Sequence, residues 1–188
     1  RSHISMRCTT DACVYSPFYE EGVGEIYFDI VNGWALNNPD SVCVEIATRV
    51  KDGLTGVEFG DGLDWDDYDW GEPVPCDMFV VMNKSTPDLP PENRGIKTLT
   101  LDTTEYRDTM YYRVRVKVQD PRTPMRFRIR RLTSNANTTN LDLDGLIFID
   151  NIIASYPGVA AEVKSPGVKA TVLNDTDNRK NCKRADIG

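Results

Sequence analysis

Between Gly60 and Cys76 the chain reads G-D-G-L-D-W-D-D-Y-D-W-G-E-P-V-P-C. Asp61, Asp64, Asp66, Asp67 and Asp69 stand around Trp65, Tyr68 and Trp70. Carboxylates are hard oxygen ligands for Ca2+. Aromatic rings offer flat faces to pyranose C–H groups while acids accept hydroxyl hydrogens. Together the two make a patch for a protein partner. An EF-hand is excluded, because Tyr68 takes the third ligand position and no Gly follows it. An irregular calcium site using Asp64 and Asp66 stays open. So does sugar stacking by Trp65, Tyr68 or Trp70, against the plainer role of rings folding back to seal the loop. Glycosidase chemistry is not indicated. It needs two carboxyls across a cleft, roughly 5–10 Å apart, one with a raised pKa, rather than five repelling acids in one loop.

A second group of chemistry-bearing residues follows. Y-Y-R-V-R-V-K-V-Q alternates Arg113, Arg115 and Lys117 with Tyr112, Val114, Val116 and Val118, and M-R-F-R-I-R-R-L alternates Arg126, Arg128 and Arg130 with Phe127 and Ile129. Read as successive paired strands with Arg122 at the turn and Arg131 alongside, they form a hairpin with one basic outer face. Like charges opposite one another need counter-charges. Glu45, the chain's own Asp-rich loop, a neighbouring subunit's Asp-rich loop and an anionic polysaccharide are the candidates. Arg113, Arg115, Arg126 and Arg128 are the candidate contacts for an anionic ligand, since the guanidinium fork matches planar oxyanions.

Elsewhere catalytic signatures are missing. His3 is the only histidine, so no Ser-His-Asp or Cys-His set assembles, and no Gly-rich phosphate loop exists. The five cysteines, Cys8, Cys13, Cys43, Cys76 and Cys182, contain no C-x-x-C pair, which argues against zinc. Disulfides are expected instead. Cys8 and Cys13 are spaced to close a small terminal loop, and Cys43 with Cys76 would pin the acidic loop. A buried Cys43 acting as a small apolar residue is the alternative. Triplets at Asn83, Asn137 and Asn174 fit glycosylation acceptors.

These side chains sit on a scaffold that composition bounds. The 188 residues suffice for one domain with a real core. Hydrophobic residues make up 40% and charged residues 27%, as in ordinary globular chains. The net charge of -7 disfavours general affinity for nucleic acid or anionic membranes. No apolar run approaches the roughly 20 residues of a membrane helix. The chain opens at Arg1 without Met, as expected of a processed chain or an excised piece.

Helical periodicity is absent and alternation recurs. Strands are predicted over 25–32, 41–50, 77–83, 96–101, 111–119, 125–132, 145–156 and 167–174, separated by turn-rich segments such as S-T-P-D-L-P-P-E-N-R-G. This predicts an all-β protein, an antiparallel two-sheet β-sandwich of jelly-roll type with an extended C-terminal arm. Residues 1–21 read as an N-terminal loop segment, 22–157 as the sandwich and 158–188 as an arm or linker.

G-V-G-E-I-Y-F-D-I-V-N-G-W (Gly22–Trp34) and G-L-I-F-I-D-N-I-I-A-S-Y-P (Gly145–Pro157) resemble the first and last strands of jelly-roll modules in large bacterial extracellular proteins, of the carbohydrate-binding, MAM and laminin-G-like kinds. The Ile-Asp-Asn-Ile run supports fold more than activity. The resemblance implies a structural calcium where these strands meet, on Glu25 or Asp29 and Asp150. The functional expectation is a non-catalytic extracellular or cell-surface module that binds glycan or matrix, with Trp34, Trp65, Tyr68 and Trp70 as aromatic contacts. The alternative is a structural subunit that self-assembles into a filament or surface layer, acidic loop to basic face, aided by the C-terminal arm.

Overall fold

The computed structural model describes residues 4–6, 11–32, 40–82, 93–101, 110–132, 147–158, 171–172 and 185–187. Trp34, Cys8, Cys182, His3 and the three Asn triplets lie outside the described residues. The strands are β1 (Ile4–Met6), β2 (Cys13–Tyr15), β3 (Glu25–Asn32), β4 (Asp40–Val50), β5 (Tyr68–Trp70), β6 (Cys76–Met82), β7 (Asn93–Ile96), β8 (Leu99–Leu101), β9 (Met110–Lys117), β10 (Arg126–Arg131), β11 (Ile147–Ala154), β12 (Thr171–Val172) and β13 (Ala185–Ile187). They form two antiparallel sheets, the expected all-β sandwich. The larger sheet runs β13-β1-β11-β3-β9-β6-β7, with β12 also on β11. The smaller runs β2-β10-β4-β5, with β8 also on β4.

Strict alternation builds the core. Ile26, Phe28 and Ile30 of β3, Val114 and Val116 of β9 and Ile147 and Ile149 of β11 face inward from the larger sheet. Val14, Val42, Val44, Phe127 and Ile129 join the same core from the smaller one, with Leu99 and Leu101 of β8. Each fully buried side chain of this size contributes about 1.5–3 kcal/mol relative to exposure. Gly22 lets the chain enter β3 tightly against the β9–β10 connection. Its φ is +80°, and a Cβ there would meet the Pro121 carbonyl oxygen at 2.0 Å.

The largest correction concerns the basic hairpin. β9 and β10 do not pair. β9 lies between β3 and β6 in the larger sheet, and β10 lies between β2 and β4 in the smaller. The turn at 119–124 crosses between layers, because both strands must put an apolar face into one core. Their arginine rows therefore stand on opposite outer faces. Arg131 breaks the row and points inward, where its Nη2 donates to Asp40 Oδ1 at 2.8 Å with both side chains buried.

Segment 1–21, expected as a loop, supplies β1 to one sheet and β2 to the other. The expected 96–101 strand is two, β7 on β6 and β8 on β4, so here too the chain changes layers. In the C-terminal segment, β12 pairs with β11 and β13 with β1, within the chain's own larger sheet. The expected Cys43–Cys76 bridge is not made; both are buried free thiols. Cys43 stands opposite Arg130, on the outward side of its sheet, whereas Cys76 belongs to the core at the start of β6. The Cys13 thiol donates to the Asp11 carbonyl at 3.2 Å.

Candidate functional site

The site is built on the outward side of the smaller sheet. Register places Trp70, Ala47 and Arg126 in one row, Glu45, Arg128 and Tyr15 in the next, and Cys43, Arg130 and Cys13 in the third. An outward row is normally solvated. Here Tyr15, Cys43, Glu45, Ala47 and Arg126 are buried; the acidic loop folds back over Tyr15 and Arg126, and Arg128 and Arg130 close on Glu45.

The loop's local chemistry explains the fold-back. Gly62 takes φ +83°, and its N–H is accepted by Asp61 Oδ1 at 3.0 Å. A single 3-10 turn spans Trp65–Asp67, closed by the Asp67 N–H on the Asp64 carbonyl at 2.9 Å. The Lys51 N–H donates to the Asp67 carbonyl, which brings the loop back to β4 and starts β5. Gly71 and Val74 continue along the edge of β4 through N–H donations to the carbonyls of Ile46 and Val44.

The aromatic rings then plate the arginines. Trp65 stacks on Tyr15 with centroids 4.1 Å apart and planes 11° apart. Arg126 Cζ lies 4.7 Å from the Trp65 centroid and 5.2 Å from that of Tyr68. Arg128 Cζ lies 4.6 Å from the centre of Trp70. Such cation–π contacts contribute about 0.5–2 kcal/mol each, more where water is excluded. Trp70 Nε1 donates to the Trp65 carbonyl at 2.9 Å, and the Tyr68 hydroxyl donates to the Gly60 carbonyl at 2.8 Å. Phe59 meets Tyr68 edge-on, and Phe18 meets Phe59 edge-on.

Charge is paired just as closely. Glu45 is shared: Arg128 Nε donates to it at 2.6 Å and Arg130 Nη2 at 2.7 Å. Burial pushes the Glu45 carboxyl upward, but the hydrogen bond from Arg130 and the charge of Arg128 outweigh it and hold the group below the usual carboxylate range. Arg130 also donates to Asp11. Arg126 donates to the Ser16 carbonyl at 3.2 Å and to Asp61 Oδ1. Exposed Asp64 and Asp66 remain on the outer surface of the loop, beside half-buried Trp65 and Trp70.

On the opposite outer face, Arg113 grips Asp29 with Nε at 2.8 Å and Nη2 at 3.1 Å. Arg115 donates to Asp77 at 2.7 Å and packs 5.4 Å from the Phe79 ring centre. Burial raises the Asp77 carboxyl, but the Arg115 and Gly95 hydrogen bonds lower it further, leaving a net depression. The structure thus separates Arg113 and Arg115 from Arg126 and Arg128, and gives every one of the four a carboxylate partner.

The implied calcium does not fit on β3 and β11. Asp29 and Asp150 do stand opposite each other in register. Yet both Asp29 oxygens are taken by Arg113, and Asn151 Nδ2 donates to Oδ2 at 2.6 Å. A divalent cation there would sit against a guanidinium. Glu25 accepts the Tyr27 hydroxyl, and Asp150 accepts the Asn151 N–H. Asp64 and Asp66 belong to no metal-holding group of three or more His, Cys, Asp or Glu side chains among the described residues.

Sequence reasoning missed Tyr15, Ser16, Asp11, Phe18 and Phe59, because nothing in periodicity ties residues 11–18 to a loop fifty positions away. The T-D-A-C-V-Y-S-P-F alternation, apolar Ala12 and Val14 alternating with Cys13 and Tyr15, was the available signal. Comparison with protein-family models, with curated proteins and with solved structures finds no match. Among the described residues no helix is long and apolar enough to cross a membrane.

Proposed function

We propose that the chain is a non-catalytic binding module of an extracellular or cell-surface protein, of the jelly-roll kind its end strands resemble, and that it recognises a glycan through the β4–β5 loop. One observation carries this reading. Trp65 and Trp70 are locked by stacking and hydrogen bonds while still half-buried, beside exposed Asp64 and Asp66. A pre-organised aromatic edge flanked by acceptors loses little freedom on binding a sugar. The test is a screen of the full chain against neutral and acidic oligosaccharides. The double change D64N/D66N should weaken the best ligand several-fold and leave the melting temperature unaltered. A screen without a ligand, or a ligand indifferent to that change, rejects the reading.

The structural-subunit reading draws support from the tip of the same loop. Leu54 and Val57 are each 37% exposed in an acidic stretch. Contact through them would give a homo-oligomer or a hetero-complex. Light scattering on a sizing column at low and high salt checks it: L54D/V57D should dissolve any such species, and a monomer under both conditions rejects self-assembly. The acid-to-base pairing expected between molecules is already made within one.

A further inference from the structure

The three buried arginine partnerships of the smaller sheet differ in kind. Arg131 has Asp40, which is buried, and Arg128 and Arg130 share Glu45, whose side chain is 5% exposed. Arg126 is nearly as buried as Arg131 and more deeply than Arg128 or Arg130, its side chain 4% exposed, yet its carboxylate is Asp61, whose side chain is 74% exposed. A buried guanidinium is held by a counter-ion that stands in water, between Gly60 and Gly62.

The fork is also half used. On Arg113 the Nε and Nη2 edge meets both oxygens of Asp29. On Arg126 the same edge meets one oxygen: Nη2 donates to Asp61 Oδ1, an oxygen already accepting the Gly62 N–H, and Nε has no partner. A buried, unpaired donor on a charged group is costly. A carboxylate arriving from outside and lying across Nε and Nη2 would satisfy both, as Asp29 does for Arg113. Trp65 and Tyr68 already flank the guanidinium, and Trp65 reaches the surface.

We infer that Arg126, with Trp65 and Tyr68, is the recognition site for a uronic-acid residue of an acidic glycan, and that Asp61 occupies it as a displaceable internal carboxylate. This rests on the glycan reading above. The sugar carboxylate takes the Arg126 edge, Asp61 swings into water, and the pyranose ring lies along Trp65 with Asp64 and Asp66 accepting hydroxyls.

The test is calorimetric titration of the full chain with tetragalacturonate, with its methyl ester and with tetraglutamate. Wild type should bind the acid weakly and D61N at least tenfold more tightly, with the ester inert towards both. Tetragalacturonate should raise the melting temperature of D61N by several degrees. R126K, which keeps charge but removes the fork, should abolish the binding of the acid. If D61N or R126K does not fold, the acid-against-ester comparison on wild type decides. Equal binding of acid and ester, no gain in D61N, or equal binding of tetraglutamate overturns the site. Ester binding that D64N/D66N removes would leave the glycan reading standing while this one falls. No binding by any oligosaccharide would end both.

Discussion

β9 and β10 carry nearly the same text, arginine alternating with an aliphatic or aromatic residue, yet their outward rows live in different surroundings. On β9 the arginines lie half-exposed on an open sheet, each with its own carboxylate. On β10 they lie under a loop, shared among carboxylates and covered by rings. Alternation decides which residues face the core. It is silent on whether the other face meets water or another part of the chain. The plate over β10 turns a sheet's surface into a second, polar core, where breaking one pair strands another charge.

The sharpest way to break this contrast is Glu45→Ala. It leaves Arg128 and Arg130 without their shared buried partner, and losses of about 3–5 kcal/mol accompany such changes. Urea unfolding measures it. Trp65→Ala comes next, removing the stack on Tyr15 and the cover of Arg126; about 2–3 kcal/mol is expected for a half-buried ring with these contacts, read from the same transition. On the open face, Asp77→Ala should cost no more than about 1 kcal/mol, the range of solvent-screened pairs. A loss from Asp77→Ala as large as that from Glu45→Ala would erase the distinction.

Acid gives an independent check. The Glu45 carboxyl is depressed by folding, so its contribution is complete above the ordinary value of 4.5 and disappears as pH falls through the lower folded value. Stability measured from pH 6 down to pH 3 should therefore fall less steeply in Glu45→Ala than in wild type. The smallest effect is expected of the thiols. Burial pushes Cys43 up to about 11 and Cys76 up to about 12. At neutral pH both are protonated and enclosed, so a thiol reagent should label them only as fast as the chain opens. Rapid labelling of folded protein would show that the packing around Cys43 is loose.

How far the sequence could be read follows from the same contrast. The strands around Ile26–Ile30, Val114–Val116 and Phe127–Ile129 were legible because two-residue periodicity is a direct imprint of one buried face. The acidic loop was legible as a cluster, and so were its three aromatics. Its direction was not, because that depends on Tyr15 meeting Trp65 and Trp70 across distant sequence. The false hairpin has the same origin: a short turn between alternating strands reads alike whether it joins neighbours in one sheet or crosses layers. Asp29 enters as a calcium ligand only through the resemblance of the end strands, and the arginine that grips it lies 84 positions away, where no local pattern announces it.

The irregularity in β11 has a consequence of its own. Asn151 adopts φ +52° where pairing with β3 shifts between Asp150 and Ile153, and its amide reaches Asp29. An extra residue at one fixed point works as an index mark. Sliding β11 by a single position would turn Ile147 and Ile149 out to water and pull Asn151 from Asp29 in the same movement. The long central strand, so uniform in its run of isoleucines, thereby has one alignment it can find, and the Asp-Asn pair within it serves as a key cut for a single lock.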